Sequence, residues 1–353
     1  VAERSVEGIS LEELQLAARN HGMPLEALRY PVTPIGLHYL LTHYDVPGVD
    51  PARWRLTVSG ERDLSLGLSE LKERAAVEVT ATMECAGNGR ARLEPRPVSQ
   101  PWLLEAVGTA HWRGVSLRPL VEEAGVPDGA VEVLFTGLDR GIEGGEEQAF
   151  QRALPLEEAG RDEVLLAYEM NGEPLPPQHG FPLRLVVPGW YGMTSVKWLE
   201  RIEFLDRPFT GYQQASSYRI RQTEDEEGEP LMRMQPRSLF VPPGIPEFLT
   251  RERTVAAGEV ELEGRAWSGI APIASVEVSI DGGGSWAGAA LEPGEGPWAW
   301  RGWRFAWDAR PGEYILCSRA RDEAGNEQPL DPPWNLGGYA NNAVQRVAVS
   351  VTG

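Results

Sequence analysis

Cysteine is scarce: Cys85 and Cys317 are the only two in 353 residues. Two thiols so far apart exclude a disulfide framework and a zinc cluster, and no C-x-x-C-H haem attachment is present. Long apolar runs are missing too. No stretch reaches the ~18 residues a membrane helix needs, so no membrane span is expected. Basic side chains are few, with 33 Lys and Arg against 52 Asp and Glu and a net charge of -19. That balance excludes non-specific nucleic-acid binding, which needs a basic face. It fits a solvated acidic surface, and equally one that steers a positively charged protein partner. No G-x-G-x-x-G joins a strand to a helix and no G-x-x-x-x-G-K-[ST] occurs, so neither nucleotide-binding motif is supported. Val1-Ala2-Glu3-Arg4 lacks the apolar core of a signal peptide. A soluble protein is expected, cytoplasmic, or periplasmic if an export signal was removed.

What is present suggests two domains. Ser10 and Glu13 form a capping box, with Leu11, Leu14 and Ala18 at helical spacing and Gly22 as a stop. Residues 31–49 read as extended and irregular, 54–58 as a strand, and Ser69 as the cap of a helix over 69–74. Strands are expected at 77–80, 131–135, 164–168 and 183–187, with Asn171-Gly172 as a hairpin turn. Asp139 falls just past the end of one of them. This first part, residues 1–230, reads as α+β. An acidic run at 224–230 and a Pro/Gly-rich stretch at 236–246 suggest a linker over 231–255. Beyond it, 256–353 alternates as short strands, and half of the 12 tryptophans lie between Trp267 and Trp307. That is the pattern of an all-β, immunoglobulin-like sandwich.

Cys317 sits inside an alternating strand and reads as packing. Cys85 differs. It follows a β-branched run and enters Ala86-Gly87-Asn88-Gly89-Arg90, a turn composition poor for a strand core. A thiol there, with Arg90 nearby, can be held as a thiolate, which is a nucleophile and a soft metal ligand. His43, Asp139, His179-Gly180-Phe181-Pro182, Arg184 and Ser195-Val196-Lys197-Trp198 add polar groups that strand and helix patterns do not require. Each alone is most simply a structural residue.

Together with Leu166-Ala167-Tyr168-Glu169-Met170-Asn171-Gly172 and Trp334-Asn335-Leu336, these motifs resemble the sulfite oxidase family of molybdenum–molybdopterin enzymes, which includes the eukaryotic assimilatory nitrate reductases. The resemblance runs from about residue 31 to 351. It implies an α+β sulfite-oxidase-type molybdopterin-binding domain followed by the sandwich as a dimerisation domain, and hence a homodimer. It makes Cys85 the protein thiolate on molybdenum. It assigns His43, Asp139, His179, Arg184, Ser195 and Lys197, with Val196 between the last two, to the pterin and its phosphate. Tyr39 and Thr42 fall at backbone neighbours of that site, and Trp102 and Tyr218 at the family's active-site tryptophan and tyrosine. Arg90 matches one substrate-binding arginine. Three other family arginines are replaced, by Leu41, Gly89 and Gly337. A weaker, more apolar substrate pocket is therefore expected, and restoring arginine at Leu41 and Gly337 is expected to improve sulfite turnover.

The activity implied is oxygen-atom transfer to sulfite or a related small oxyanion, with electrons leaving to an external partner such as a cytochrome. The alternative is reduction of nitrate, an S-oxide or an N-oxide. Two other classes compete. One is a thiol hydrolase using Cys85 with His43, His111 or His179 as base. The other is a binding protein that has kept the fold and lost the chemistry.

Overall fold

The computed structural model describes residues 8–353. Two sheets build the first part. One runs in the order Leu64–Leu66, Leu56–Ser59, Leu199–Leu205, Glu132–Glu143, Glu146–Pro155. Its pairing is antiparallel except where Leu56–Ser59 lies parallel to Leu199–Leu205. The other joins Ala76–Glu84, Val107–Ser116 and Leu165–Met170 in antiparallel register, and Leu165–Met170 also pairs with Arg184–Val186. Leu56–Ser59 alternates, with fully buried Leu56 and Val58 flanking the exposed Thr57, whereas Leu165–Met170 and Arg184–Val186 in the second sheet are buried on both faces.

Local expectations hold in part. Asn171 and Gly172 both have positive φ, as a tight hairpin turn requires, and link Leu165–Met170 to Glu173–Pro174. The capping box at Ser10 forms, but the apolar stripe behind it points outward. Leu11 and Leu14 are 68% and 53% exposed, while Glu13 is buried. The reason is Arg96, which pairs with the Glu13 carboxylate and draws that face of the helix inward. Ser69 does not cap its helix. Gly67 takes that position before Leu68–Lys72, because the Glu70 carboxylate accepts the Gly67 N–H at 2.7 Å. Asp139 does not follow a strand end either: Glu132–Glu143 continues through it, with a register shift between Thr136 and Arg140.

The second part is a sandwich. A four-stranded sheet orders Arg237–Phe240, Gly258–Trp267, Arg301–Ala309 and Ala290–Leu291. A six-stranded sheet faces it, built around Arg253–Ala256, Gln345–Thr352, Gly312–Asp322 and Ile273–Ser279. Phe240, Trp303, Trp307 and Leu316 fill the space between them. Cys317 is fully buried on Gly312–Asp322, as expected of a packing residue. The stretch 231–255 is not a plain linker. Arg237–Phe240 is buried throughout and pairs with Gly258–Trp267, so the sandwich begins inside it. Proline and glycine at 236–246 conceal a short strand whose neighbours are remote in sequence.

Two tryptophans of the second part, Trp267 and Trp300, belong to the core of the first. The Trp300 indole donates to the Pro31 carbonyl at 2.6 Å, and its backbone N–H donates to the Thr82 hydroxyl at 2.7 Å. The sandwich is thereby locked against the strand that leads to Cys85.

Candidate active site

Cys85 is the first residue after Ala76–Glu84. Its N–H donates to the Ala106 carbonyl at 2.9 Å, and its carbonyl accepts the Asn88 N–H at 2.9 Å. Asn88 staples the turn. Its amide donates to Glu84 and to the Leu104 carbonyl, and its side-chain oxygen accepts the Ala106 N–H. Burial pushes the Cys85 thiol up, against the pull of Arg90, the Gly87 N–H and the Trp102 indole. A bound metal would reverse that balance and hold the thiolate.

Cys85 lines two cavities. The inner one gathers Tyr39, His43, Asp139, His179, Arg184, Ser195 and Lys197. Arg184 donates to the carbonyls of His179 and Ser195, both at 3.1 Å, and lies over the Trp112 ring. Lys197 donates to the carbonyls of Leu41 at 2.8 Å and Gln178 at 3.0 Å. Burial lowers Lys197 to about 7, helped by Arg184. Burial raises Asp139 to about 6, although Lys197 pulls it down. His43 is lowered to about 3 and His179 is lowered too, in each case chiefly by burial, so both imidazoles are neutral.

Asp139 Oδ1 and Arg184 Nε are buried without a hydrogen-bond partner among the described residues. Each such group costs roughly 1–3 kcal/mol until a ligand satisfies it. With neutral histidines, Arg184 and Lys197 face one carboxyl, so the cavity suits a polar organic group that carries an anion. Among the described residues no three His, Cys, Asp or Glu side chains cluster as a metal site. A metal at Cys85 must therefore bring its other ligands with it. The lining fits a pterin dithiolene with a phosphate: Asp139 for ring N–H groups, Arg184 and Lys197 for the phosphate, Cys85 for the metal.

The outer cavity holds Cys85, Arg90, Trp102 and Tyr218 together with Thr42 and His43. The Tyr218 hydroxyl is hydrogen-bonded to His43 Nε2, and its ring lies 5.2 Å from Tyr339. Tyr218 has a φ of 56°, a left-handed backbone unusual for a non-glycine residue. Arg90 is tied down: Nε donates to the Gly337 carbonyl at 2.8 Å and Nη1 to the Gln100 carbonyl at 3.3 Å, over the Tyr339 ring. Its Nη2 has no hydrogen-bond partner among the described residues. Glu12, Glu13 and Glu143 share this cavity with Arg19 and Arg90.

Two expected residues stand apart. The Val196 side chain is packed in the core and lines neither cavity; it spaces Ser195 from Lys197, and its carbonyl accepts the Leu185 N–H. Thr42 faces the outer cavity, with its N–H donating to Asn20 at 2.6 Å. The sequence reasoning missed His38, Met83, Phe150 and Met193 in the inner cavity and Tyr339 in the outer one. Tyr339 follows Gly337-Gly338, a turn signal that could have drawn notice. His38 donates to the Tyr39 carbonyl, and burial lowers it to about 4. It carried no signal beyond its nearness to His43.

The site makes the cofactor-free chain pH-sensitive. Asp139 is raised, so its native state binds the extra proton between about pH 4 and 6 and contributes a falling slope there. Set against it is the rising slope from His38, His43 and His179, which are lowered and bind fewer protons native than unfolded. Lys197 is lowered, so stability rises with pH between about 7 and 10.5. Asp139→Asn is expected to remove the falling contribution, so that stability rises more steeply with pH between about 4 and 6. By taking away the carboxylate that holds Lys197 up, it should also carry the Lys197 slope to lower pH. Thermal melts of the two proteins across pH 4 to 10 check this; an unchanged slope below pH 6 would remove Asp139 from the account.

Comparison with known proteins agrees with this arrangement. The profile described as the oxidoreductase molybdopterin binding domain matches residues 43–213, and that of the Mo-co oxidoreductase dimerisation domain matches 229–352. Sulfite oxidase of Gallus gallus is 38% identical over 342 residues, covering 89% of this chain and 72% of that protein. The mitochondrial sulfite oxidase of Homo sapiens is 37% identical over 349 residues, covering 91% and 62%. The NAD(P)H nitrate reductase of Hordeum vulgare is 33% identical, covering 91% and 39%. The chain thus spans about three fifths of the mammalian relatives it matches. The sulfane dehydrogenase SoxCD of Paracoccus pantotrophus superposes with a TM-score of 0.81 at 25% identity, covering 100% of this chain and 95% of that one. With both domain profiles matched in order and the thiol, cradle and aromatic residues gathered in one place, the chain belongs to the sulfite oxidase family of molybdopterin oxidoreductases.

Proposed function

We propose that the chain is a molybdenum–molybdopterin oxidoreductase that transfers an oxygen atom to sulfite or a related small substrate and passes electrons to an external acceptor. One observation carries this: a single thiol, Cys85, stands where a polar cradle and a solvent-facing aromatic pocket meet. Bound there, the cofactor would supply two-electron redox chemistry and oxygen-atom transfer. The chain supplies the rest. Arg184 and Lys197 anchor the phosphate, Asp139 accepts from the pterin, and Cys85 holds the metal. Trp102 lies beside Cys85 with its buried indole N–H unpaired among the described residues, and buried aromatic rings pack around the thiol. Tyr218 presents a hydroxyl whose position neutral His43 fixes. Arg90 Nη2 is the donor left for an oxyanion.

The second reading, reduction of nitrate, an S-oxide or an N-oxide, draws support from the outer cavity. Leu41 stands where the family resemblance places an arginine and lines the outer cavity, so an apolar side chain takes the place of a cation there. A dianion gains less there than a monoanion or a neutral oxide does. The dimerisation profile supports a homodimer. Ile245, Phe248 and Leu249, all at least 70% exposed on the second domain, offer apolar surface for pairing. The net charge of -19 supports a basic electron acceptor of the cytochrome kind. We place the catalytic unit in residues 1–230 and the pairing unit beyond it. No helix among the described residues is long and apolar enough to cross a membrane.

Metal analysis and a dye-linked substrate screen test the proposal. Protein produced in a host that makes the cofactor should carry about one molybdenum per chain and reduce ferricyanide when sulfite is added. Molybdenum-loaded protein that turns over only nitrate or a sulfoxide would favour the second reading. Protein that takes up no molybdenum would overturn both.

A further inference from the structure

The turn bearing Cys85 is gripped from behind by the second domain. Glu84, the residue before the thiol, is 2% exposed. Its Oε1 accepts from Arg237 Nη1 and from Asn88 at 3.0 Å, and its Oε2 accepts the Trp267 indole N–H at 2.9 Å. Arg237 and Trp267 are direct partners across the ladder between Arg237–Phe240 and Gly258–Trp267. One rung of a sandwich sheet therefore holds both oxygens of a single carboxylate in the other domain. Two further bonds close the grip: Ala340 N–H to the Ala86 carbonyl and the Asn341 amide to the Gly89 carbonyl, each at 2.8 Å.

Gly89 belongs to the same device. Its φ is 92°, and a Cβ there would lie 2.9 Å from Asn341 Nδ2 and 3.0 Å from Arg237 Nη2. The absence of a side chain at 89 is what lets the Arg237 guanidinium and Asn341 close on the turn. A buried carboxylate could be neutralised by any cation, but this one is fixed at both oxygens by groups that cannot shift without moving a strand pair. That rigidity is transmitted one bond along the chain to the residue that bears the sulfur.

We propose that Arg237 and Trp267 are positioning residues for the Cys85 sulfur, so that the sandwich domain takes part in building the metal site as well as in pairing. This rests on Cys85 being the molybdenum ligand. The test uses holoenzyme reduced to the Mo(V) state, read by electron paramagnetic resonance alongside molybdenum content and melting temperature. Arg237→Gln should keep its molybdenum but shift the Mo(V) g-values, with sulfite-dependent kcat roughly 10- to 100-fold lower, the range seen for outer-sphere partners of metal ligands. Arg237→Lys, which keeps the charge, should recover part of both changes. Trp267→Phe reads the same effect without breaking the ion pair, should Arg237→Gln fold poorly. Wild-type g-values and kcat in Trp267→Phe and in whichever Arg237 variants fold would overturn the proposal while leaving the Cys85 reading intact. Wild-type protein without molybdenum would instead remove the reading on which it rests.

Discussion

Cys85→Ser abolishes turnover while leaving the fold in place: this is the largest effect the account expects. The substitution changes one buried atom in a turn whose shape is set elsewhere, by Asn88, Glu84 and the Ala106 backbone. Serine hydroxyl fits the same space, so the melting temperature should move by only a few degrees. The chemistry changes completely, because a hydroxyl is a hard, weakly acidic group and a poor partner for a soft redox metal. The loss should exceed the roughly 100-fold seen when an outer-sphere partner of a metal ligand is removed. Steady-state turnover together with thermal melting checks both halves. A Cys85→Ser protein with ordinary turnover would take the thiolate out of the mechanism. Cys317→Ser serves as the control, since that thiol lies inside the sandwich and far from both cavities.

Leu41→Arg is expected to raise kcat/KM for sulfite. Leu41 lines both cavities, so a guanidinium carried on its stem can reach the pocket above Cys85. The backbone role of the position survives, since Lys197 donates to the Leu41 carbonyl rather than to its side chain. A hydrogen bond to a charged group contributes about 1.5–3 kcal/mol, which is roughly 10- to 100-fold in affinity. The gain should appear mainly in KM and should shrink as salt is added. A loaded variant with no gain would mean that the pocket is shaped for a substrate other than sulfite. The structure corrects the companion expectation at Gly337. A Cβ there would run into the Tyr339 ring, and the Gly337 carbonyl already accepts from Arg90. Gly337→Arg would displace both, so Leu41 is the position at which restoration can be tested cleanly.

Much of the site was legible because its motifs are local. The Cys85 turn, the His179 turn and the Ser195–Lys197 stretch each announce themselves by residues that strands and helices do not call for. The structure then brings Tyr39, His43, Asp139, His179, Arg184, Ser195, Lys197 and Tyr218 to one cavity wall. What stayed hidden depends on contacts remote in sequence. Arg237 lies 153 positions from Glu84, inside a stretch whose prolines and glycines disguise a strand. The outward turn of Leu11 and Leu14 follows from an ion pair between Glu13 and Arg96, which no periodicity can express. Tyr339 and His38 are ordinary residues in sequence and become site residues only by placement. Tryptophan behaved as its abundance suggested, yet Trp267 and Trp300 pack into the first domain's core rather than the sandwich's own.

Molybdenum K-edge X-ray absorption on wild-type holoenzyme and on Cys85→Ser loaded in the same way tests the central claim most directly. The wild-type metal should show one more sulfur neighbour than the variant, the extra one being Cys85 Sγ. Identical sulfur coordination in the two proteins would contradict the claim.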